Sequence, residues 1–171
     1  PSAEIVKFGK NGSDATAAAM RLARAYTSRN IVLRASSDAF LGVHDWFIGS
    51  TIMNAGIPYA IQELTDSFLV NESDSVVAAF ERHRGDIAAV ILEPAGFALP
   101  SKDFLEWLRN FCTQERIVLV FDEIVSGFRV APGGAQELLG VIPDLTTLGK
   151  AMGNGYPISA LVGQREIMER G

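Results

Sequence analysis

The sequence predicts an α/β fold in which a mainly parallel β-sheet forms the middle layer of a three-layer sandwich. Short apolar segments rich in β-branched residues alternate with segments of helical periodicity along all 171 residues. Such alternation is typical of parallel sheets with helices on their faces. The apolar segments are also continuous rather than interrupted by polar residues, as expected of strands that are buried on both sides.

Seven segments have the length and residue types of strands. They are Ile5–Phe8, Asn30–Arg34, Ser67–Val70, Ala88–Leu92, Ile117–Phe121, Leu145–Leu148 and Ser159–Gly163. Helical periodicity predicts helices at Ala15–Thr27, Ser73–Arg84 and Lys102–Gln114, and the start of another at Gln164–Arg170. Two longer connections, 36–58 and 127–143, are rich in Gly, Pro and aromatic residues. Long connections of this kind tend to carry function or to lie at an interface.

Charge and composition argue against several classes of function. The chain has 15 Lys and Arg against 20 Asp and Glu, and it lacks the basic cluster that nucleic-acid binding requires. No apolar run approaches the roughly 20 residues that span a bilayer, and no signal peptide is visible. Cys112 is the single cysteine and has no disulfide partner within the chain. One cysteine and two separated histidines, His44 and His83, are too few for a structural zinc site, so no metal site is expected. We therefore expect a cytoplasmic protein without a nucleic-acid or membrane partner.

The first candidate for chemistry is Asn11-Gly12-Ser13-Asp14, between the first predicted strand and the first predicted helix. Glycine lets a ligand approach the backbone, serine supplies a hydroxyl group, and free N–H groups at a helix start attract anions. The alternative is an ordinary helix cap with Ser13 or Asp14 as the capping side chain. The two interpretations are compatible, because a phosphate could share the cap.

The second candidate is Asp122, which with Glu123 directly follows the apolar segment Ile117–Phe121. The pair is either the polar end of a strand or includes a largely buried carboxylate that needs a cationic partner. A protonated pyridine nitrogen would be such a partner.

The third candidate is Lys150, which follows Leu145–Leu148 and opens a glycine-rich turn. Lysine is most often a solvated surface residue, but the glycines leave room around this amine. All three candidates follow predicted strands, where ligands gather in open α/β sheets. An amine that forms a Schiff base and a carboxylate that keeps a pyridine ring protonated are the groups that pyridine-cofactor chemistry requires.

Three blocks of sequence, taken together, resemble the class III pyridoxal-phosphate-dependent aminotransferases. The blocks are Val120–Arg129, Gly133–Gln136 and Pro143–Lys150. Their order and spacing are similar to those of the branch that contains glutamate-1-semialdehyde 2,1-aminomutase, and the resemblance covers nearly the whole chain. It implies a fold-type I transferase, with residues 1–171 as the central part of the large, cofactor-binding domain. An N-terminal segment and a C-terminal small domain would lie outside this chain.

The resemblance also implies a catalytic pair and further cofactor contacts. Lys150 would hold pyridoxal 5′-phosphate as a Schiff base and then act as the base that moves a proton. Asp122 would pair with the pyridine nitrogen. The further contacts, two to the phosphate and two to the faces of the ring, are Gly12, Ser13, Ile124 and Phe40.

Some residues depart from the pattern of the family. Phe40 stands where a ring-stacking Tyr is usual, and Leu41 replaces the His that follows it. Val125 stands where many of these aminotransferases place a Gln, and an apolar residue there resembles the aminomutase branch. The segment Ala95–Ala98 lacks the Gly-Glu-Ala-Gly of the ornithine and 4-aminobutyrate enzymes, so those two substrate classes are not favoured.

The implied function is amino-group transfer, as a transaminase or an intramolecular aminomutase, on a small amino, keto or aminoaldehyde substrate. The implied assembly is a homodimer with a shared active site. The isolated 171 residues are not expected to turn over substrate. The alternative is a non-catalytic relative that acts in assembly or regulation. The departures from the family pattern at Phe40 and Leu41 favour this alternative. A nucleotide-binding domain is a weaker option, because no Gly-x-Gly-x-x-Gly follows the first strand.

Overall fold

A computed structural model describes residues 1–171, which contain one seven-stranded sheet. The strands are β1 (Ile5–Gly9), β2 (Ile31–Ala35), β3 (Thr65–Phe68), β4 (Ile87–Leu92), β5 (Val118–Glu123), β6 (Leu145–Leu148) and β7 (Ser159–Gly163). Across the sheet they follow the order β1-β7-β6-β5-β4-β2-β3. The strands from β6 to β3 are parallel, and β7 is antiparallel to both of its neighbours. The predicted, mainly parallel α/β sheet is therefore confirmed.

Helices lie between the strands and cover the sheet. They are α1 (Gly12–Thr27), α2 (Asp45–Ile48), α3 (Tyr59–Gln62), α4 (Ser73–Arg82), α5 (Lys102–Glu115), α6 (Gly134–Leu139) and α7 (Arg165–Met168), with a 3-10 turn at Lys150–Gly153. No helix has both the length and the apolar character that crossing a membrane would require.

Alternate residues of each central strand enter two separate cores, one on each face of the sheet. In β5, Leu119 and Phe121 belong to the core beneath α4 and α5. Val118 and Val120 belong to the core beneath α1. Fully burying a side chain of this size stabilises the fold by about 1.5–3 kcal/mol. This two-sided burial explains why the strands are continuously apolar in sequence, and it produces the predicted three layers.

Several element boundaries differ from the prediction. The strand placed at Ser67–Val70 is Thr65–Phe68, because the Leu69 N–H donates to Ser75 Oγ (2.8 Å) and the chain leaves the sheet there. The last helical segment, predicted over Gln164–Arg170, has helical geometry only at Arg165–Met168.

The start of α1 was also predicted too late. The helix begins at Gly12 rather than Ala15, and its cap is Asn11, whose Oδ1 accepts the Asp14 N–H at 3.0 Å. The prediction that Ser13 or Asp14 is the capping side chain is therefore wrong. An asparagine in extended conformation satisfies one of the free donors of the first turn, and this leaves the Ser13 hydroxyl for other contacts.

Strand β5 continues through both acidic residues that were predicted to follow it, and the two carboxylates have different surroundings. Glu123 is fully buried. Its carboxylate accepts hydrogen bonds from the Ser126 hydroxyl, from the backbone N–H groups of Ala135 and Gln136, and from the Gln136 side chain. A carboxylate with this many donors is a structural anchor for the start of α6.

The direction of β1 decides where α1 begins. Because β1 is antiparallel to β7, and β7 is antiparallel to β6, strands β1 and β6 point the same way. The first turn of α1 therefore lies at the same edge of the sheet as the carboxyl ends of β4, β5 and β6.

Candidate functional site

A cavity of about 330 Å³ opens at this carboxyl edge of the sheet. It is lined by groups from the start of α1, from the ends of β4, β5 and β6, and from the connection after β2. The lining residues are Lys10, Asn11, Gly12, Ser13, Phe40, Leu41, Glu93, Asp122, Ile124, Val125, Lys150, Tyr156, Pro157 and Ile158. All six residues singled out in the sequence as catalytic or cofactor-binding are among them.

Asp122 is a buried carboxylate at the bottom of the cavity, 4% exposed. It accepts hydrogen bonds from the Thr147 hydroxyl (2.8 Å) and from the Ile124 N–H (3.1 Å), both to Oδ1. Its pKa is raised to about 7, chiefly by burial; the two donors lower the pKa, and the charges of Glu93 and Asp38 raise it. A buried carboxylate without a cationic partner is costly, so this position favours a ligand that carries positive charge.

Two further carboxyl groups stand near Asp122. Glu93, directly after β4, is half-buried, and burial raises its pKa while the charge of Lys150 lowers it. Asp38 is 4% exposed and accepts the Glu93 N–H at 2.8 Å. Burial raises the pKa of Asp38 to about 7, and the charge of Glu93 adds to this. This end of the sheet therefore has three carboxyl groups, and three cations lie near them: Arg34, Lys150 and Lys10.

Lys150 is the first residue of the 3-10 turn after β6 and has a φ of 40°. The left-handed region costs a residue with a side chain roughly 1–2 kcal/mol, and strained residues of this kind cluster at functional sites. The Lys150 side chain is exposed, and its amine forms no hydrogen bond or salt bridge within the chain. It is thus free to react with or bind a ligand in the cavity.

The first turn of α1 presents backbone N–H groups at one end of the cavity. The N–H groups of Gly12 and Ser13 have no intrahelical acceptor, and the dipole of a 16-residue helix adds positive potential there. The Ser13 Oγ accepts the Val43 N–H at 3.2 Å, so its own hydroxyl hydrogen remains available to a ligand. This geometry suits a phosphate group.

Two apolar side chains flank the cavity. Ile124 packs so closely on α1 that a Cβ on Gly12 would lie 2.5 Å from the Ile124 Cδ1. Phe40 is 56% exposed and reaches the cavity from the connection after β2. Leu41, which follows it, is buried, and its carbonyl accepts the Thr16 hydroxyl at 2.7 Å. The Leu41 carbonyl thus attaches the connection after β2 to α1.

Sequence reasoning did not single out Glu93, Asp38 or Thr147. Glu93 directly follows an apolar strand, so the rule that identified Asp122 would have identified it too. Thr147 pairs with Asp122 only through the register of β5 and β6. Asp38 lies within a long connection that has no periodic pattern, so nothing in the sequence marked it.

The model of the aminotransferase class-III family matches residues 1–171. The chain belongs to the class-III aminotransferases. It is 40% identical to glutamate-1-semialdehyde 2,1-aminomutase of Akkermansia muciniphila, over 99% of this chain and 42% of the relative. It is 44% identical to the enzyme of that name from Chlorobium limicola, with the same two shares. The resemblance inferred from the sequence is thereby confirmed.

Solved structures of the family have the same fold. An omega-transaminase from Sphaerobacter thermophilus superposes with a TM-score of 0.88 at 32% identity, over 98% of this chain and 42% of the other. The FumI protein of a Sphingopyxis species, described in its PLP internal aldimine form, superposes with a TM-score of 0.90 at 39% identity, over 99% of this chain and 41% of the other. This class-III aminotransferase chain thus spans about 42% of the length of these relatives.

Proposed function

We propose that residues 1–171 are the central part of the large domain of a pyridoxal-phosphate-dependent enzyme that transfers amino groups. The observation that carries the proposal is the meeting of Asp122, Lys150 and the first turn of α1 in one cavity. A buried carboxylate, an unpartnered amine and an anion-binding helix start match the three polar parts of this cofactor. These are the ring nitrogen, the aldehyde and the phosphate. The names of the relatives point to the same chemistry.

The residues present fit the cofactor. Asp122 has hydrogen-bond donors but no cation in contact with it, and a protonated ring nitrogen would supply the positive charge that this carboxylate lacks. Pyridoxal phosphate supplies an electron-accepting ring and an aldehyde that reacts with amines.

Each lining residue has a task in this proposal. Lys150 would bind the aldehyde through its amine and then carry a proton to or from the substrate carbon. The N–H groups of Gly12 and Ser13, with the Ser13 hydroxyl, would hold the phosphate. Ile124 and Phe40 would contact the two faces of the ring and exclude water from them. Asp122 would keep the ring nitrogen protonated.

The substrate and the wider assembly are part of the proposal. The relatives named as aminomutases support a small amino, keto or aminoaldehyde substrate. A homodimer with a shared active site is supported by large apolar side chains that are exposed in the single chain, among them Ile52, Met53, Phe97 and Tyr156. A cytoplasmic location is supported by the single, free Cys112. The non-catalytic alternative has no support, since Asp122 and Lys150 line the same cavity.

Visible absorbance of the full-length protein with pyridoxal phosphate tests the proposal. We expect an absorbance band that borohydride removes, and a peptide map in which the reduced cofactor is fixed on Lys150. Lys150→Ala should show no such band. A wild-type protein that stays colourless at saturating cofactor would refute the proposal. A requirement for a second keto acid then distinguishes a transaminase from an aminomutase, because a mutase returns the amine to its own substrate.

A further inference from the structure

The position of Phe40 depends on a second aromatic residue. The Phe40 ring lines the cavity, is more than half exposed and has no polar group that could fix it. Its aromatic contact is with Phe47, edge-to-face at 80° with ring centres 6.2 Å apart. Phe47 is fully buried and also contacts Trp46, with ring centres 5.9 Å apart. The orientation of Phe40 therefore follows that of Phe47.

Arg34, near the end of β2, contacts the Phe47 ring. Its guanidinium carbon lies 5.4 Å from the ring centre, within the range of cation–π attraction. Arg34 is buried and has no carboxylate at salt-bridge distance; the nearby buried Asp38 attracts it from farther away. Burying a guanidinium without a direct ion pair costs free energy, so other contacts must compensate for this cost.

The hydrogen bonds of Arg34 compensate for the cost of its burial. Its Nε and Nη2 donate to the hydroxyl and the carbonyl of Ser50, at 2.7 and 2.9 Å. Its Nη1 donates to the carbonyl of Ala35 at 3.0 Å. The Ser50 hydroxyl in turn donates to the Phe47 carbonyl at 2.7 Å. One guanidinium thus joins both ends of the segment 36–50, which carries Phe40 and Phe47.

The same segment is held on its other side by α1. The Thr16 hydroxyl donates to the Leu41 carbonyl, and the Val43 N–H donates to the Ser13 hydroxyl. The segment is therefore fixed between β2 and α1, and Phe40 lies in the short stretch between the two sets of contacts. On the β2 side the contacts of Arg34 are joined by two further hydrogen bonds, from the Ser36 N–H to the Phe68 carbonyl and from the Glu93 N–H to the Asp38 carboxylate.

We propose that Arg34 is a positioning residue that sets the orientation of Phe40 at the cavity, acting through Phe47. The inference rests on the proposed function, because the ligand that Phe40 would contact is the pyridine ring. Arg34 itself does not line the cavity, so its effect on a ligand must be transmitted by the aromatic pair.

A double-mutant cycle on pyridoxal phosphate affinity in the full-length protein tests this. We expect Arg34→Lys, which keeps the charge but loses the fork of donors, to weaken the affinity about tenfold. In a Phe40→Ala background the same change should weaken it less than about twofold, because the residue through which Arg34 acts is gone. Arg84→Lys is the matched control. Arg84 is an exposed arginine 5.7 Å from the Phe80 ring and should leave the affinity unchanged. Equal effects of Arg34→Lys in both backgrounds would overturn the inference.

Hydrogen exchange of the cofactor-free protein gives a second, independent readout. We expect Arg34→Lys to accelerate exchange at least about fivefold at amides of 36–50 and to leave β4 and β5 unchanged. If Arg34→Lys does not fold, Ser50→Ala removes one acceptor of the guanidinium and should give a smaller change confined to the same amides. Unchanged exchange in this segment would overturn the inference. A wild-type protein that binds no cofactor would refute the proposed function instead, so the two failures can be told apart.

Discussion

The Cδ1 atom of Ile124 occupies the space that a side chain on Gly12 would need, since a Cβ built on Gly12 would lie 2.5 Å from it. Two segments more than a hundred residues apart in the chain therefore meet at van der Waals contact. This contact brings the first turn of α1 against the end of β5, where Asp122 lies.

Gly12→Ala should disturb this contact. We expect the added methyl group to push Ile124 away, to lower the free energy of unfolding by about 1–3 kcal/mol, and to weaken pyridoxal phosphate binding. Urea denaturation and a fluorescence titration measure the two effects. Shortening the neighbour in the double variant Gly12→Ala/Ile124→Val removes Cδ1 and should restore part of both. If the double variant is as unstable and binds pyridoxal phosphate as weakly as Gly12→Ala, the contact with Ile124 does not cause the two losses.

Asp122→Asn should stabilise the cofactor-free protein at high pH. Burial raises the pKa of Asp122 to about 7, above the value of 3.8 for a free aspartate, so the folded state binds this proton more tightly than the unfolded state. The stability from that proton is fully present below about pH 4 and is lost as the pH rises through about 7. Between pH 5 and pH 8 the free energy of unfolding of wild type should fall by about 2–3 kcal/mol more than that of Asp122→Asn, because Asp38, whose pKa is also raised to about 7, titrates in both proteins. The exposed Asp103→Asn serves as control and should follow wild type.

Glu123→Gln should have the opposite effect on stability. The Glu123 carboxylate accepts several hydrogen bonds at the start of α6, and an amide would turn an N–H₂ group towards these donors. We expect a loss of about 2–4 kcal/mol in the free energy of unfolding, measured by urea denaturation at pH 8. Replacing a carboxylate by an amide would then raise the free energy of unfolding at Asp122 and lower it at the neighbouring Glu123. A Glu123→Gln protein as stable as wild type would contradict the anchoring role.

Ser13→Ala should weaken binding of the phosphate more than binding of the ring. The variant loses the hydroxyl that accepts the Val43 N–H and is free to donate to a ligand. We expect the affinity for pyridoxal phosphate to fall about tenfold, whereas the affinity for pyridoxal, which lacks the phosphate, falls less. Equilibrium dialysis with both compounds measures this. An equal loss for the two compounds would indicate a general disturbance of the cavity instead.

The parts of the site that could be predicted are those that follow apolar strands. Asp122 follows a continuous apolar segment, Lys150 follows the short strand Leu145–Leu148, and parallel strands bring their carboxyl ends to one edge. The fold class was predictable for the same reason, because two-sided burial leaves a continuous apolar pattern in the central strands. The edge strand β3 is buried only at its two ends, and its boundaries were accordingly misplaced.

The remaining parts depend on register and on long-range contacts. The bond from Thr147 to Asp122 exists because these residues are opposite each other in β5 and β6, and no turn in the sequence fixes that register. The cap of α1 was misassigned because three candidate capping residues are adjacent, and local sequence does not choose among Asn11, Ser13 and Asp14. Arg34 looked like the end of a strand; its contacts with Ser50 and Phe47 appear only in the folded chain.

The pairing of β1 with β7 has a consequence for how the protein would hold together. Strand β1 has no other partner in the sheet, and its partner lies at the far end of the chain, so joining them carries the largest loop-closure cost. Opening of β1 is therefore expected to need less free energy than global unfolding. Because Gly12 and Lys150 line one cavity, a ligand that contacts both binds only when this pairing is intact. The resistance of the N-terminal segment to proteases should then rise with ligand concentration, by mass action.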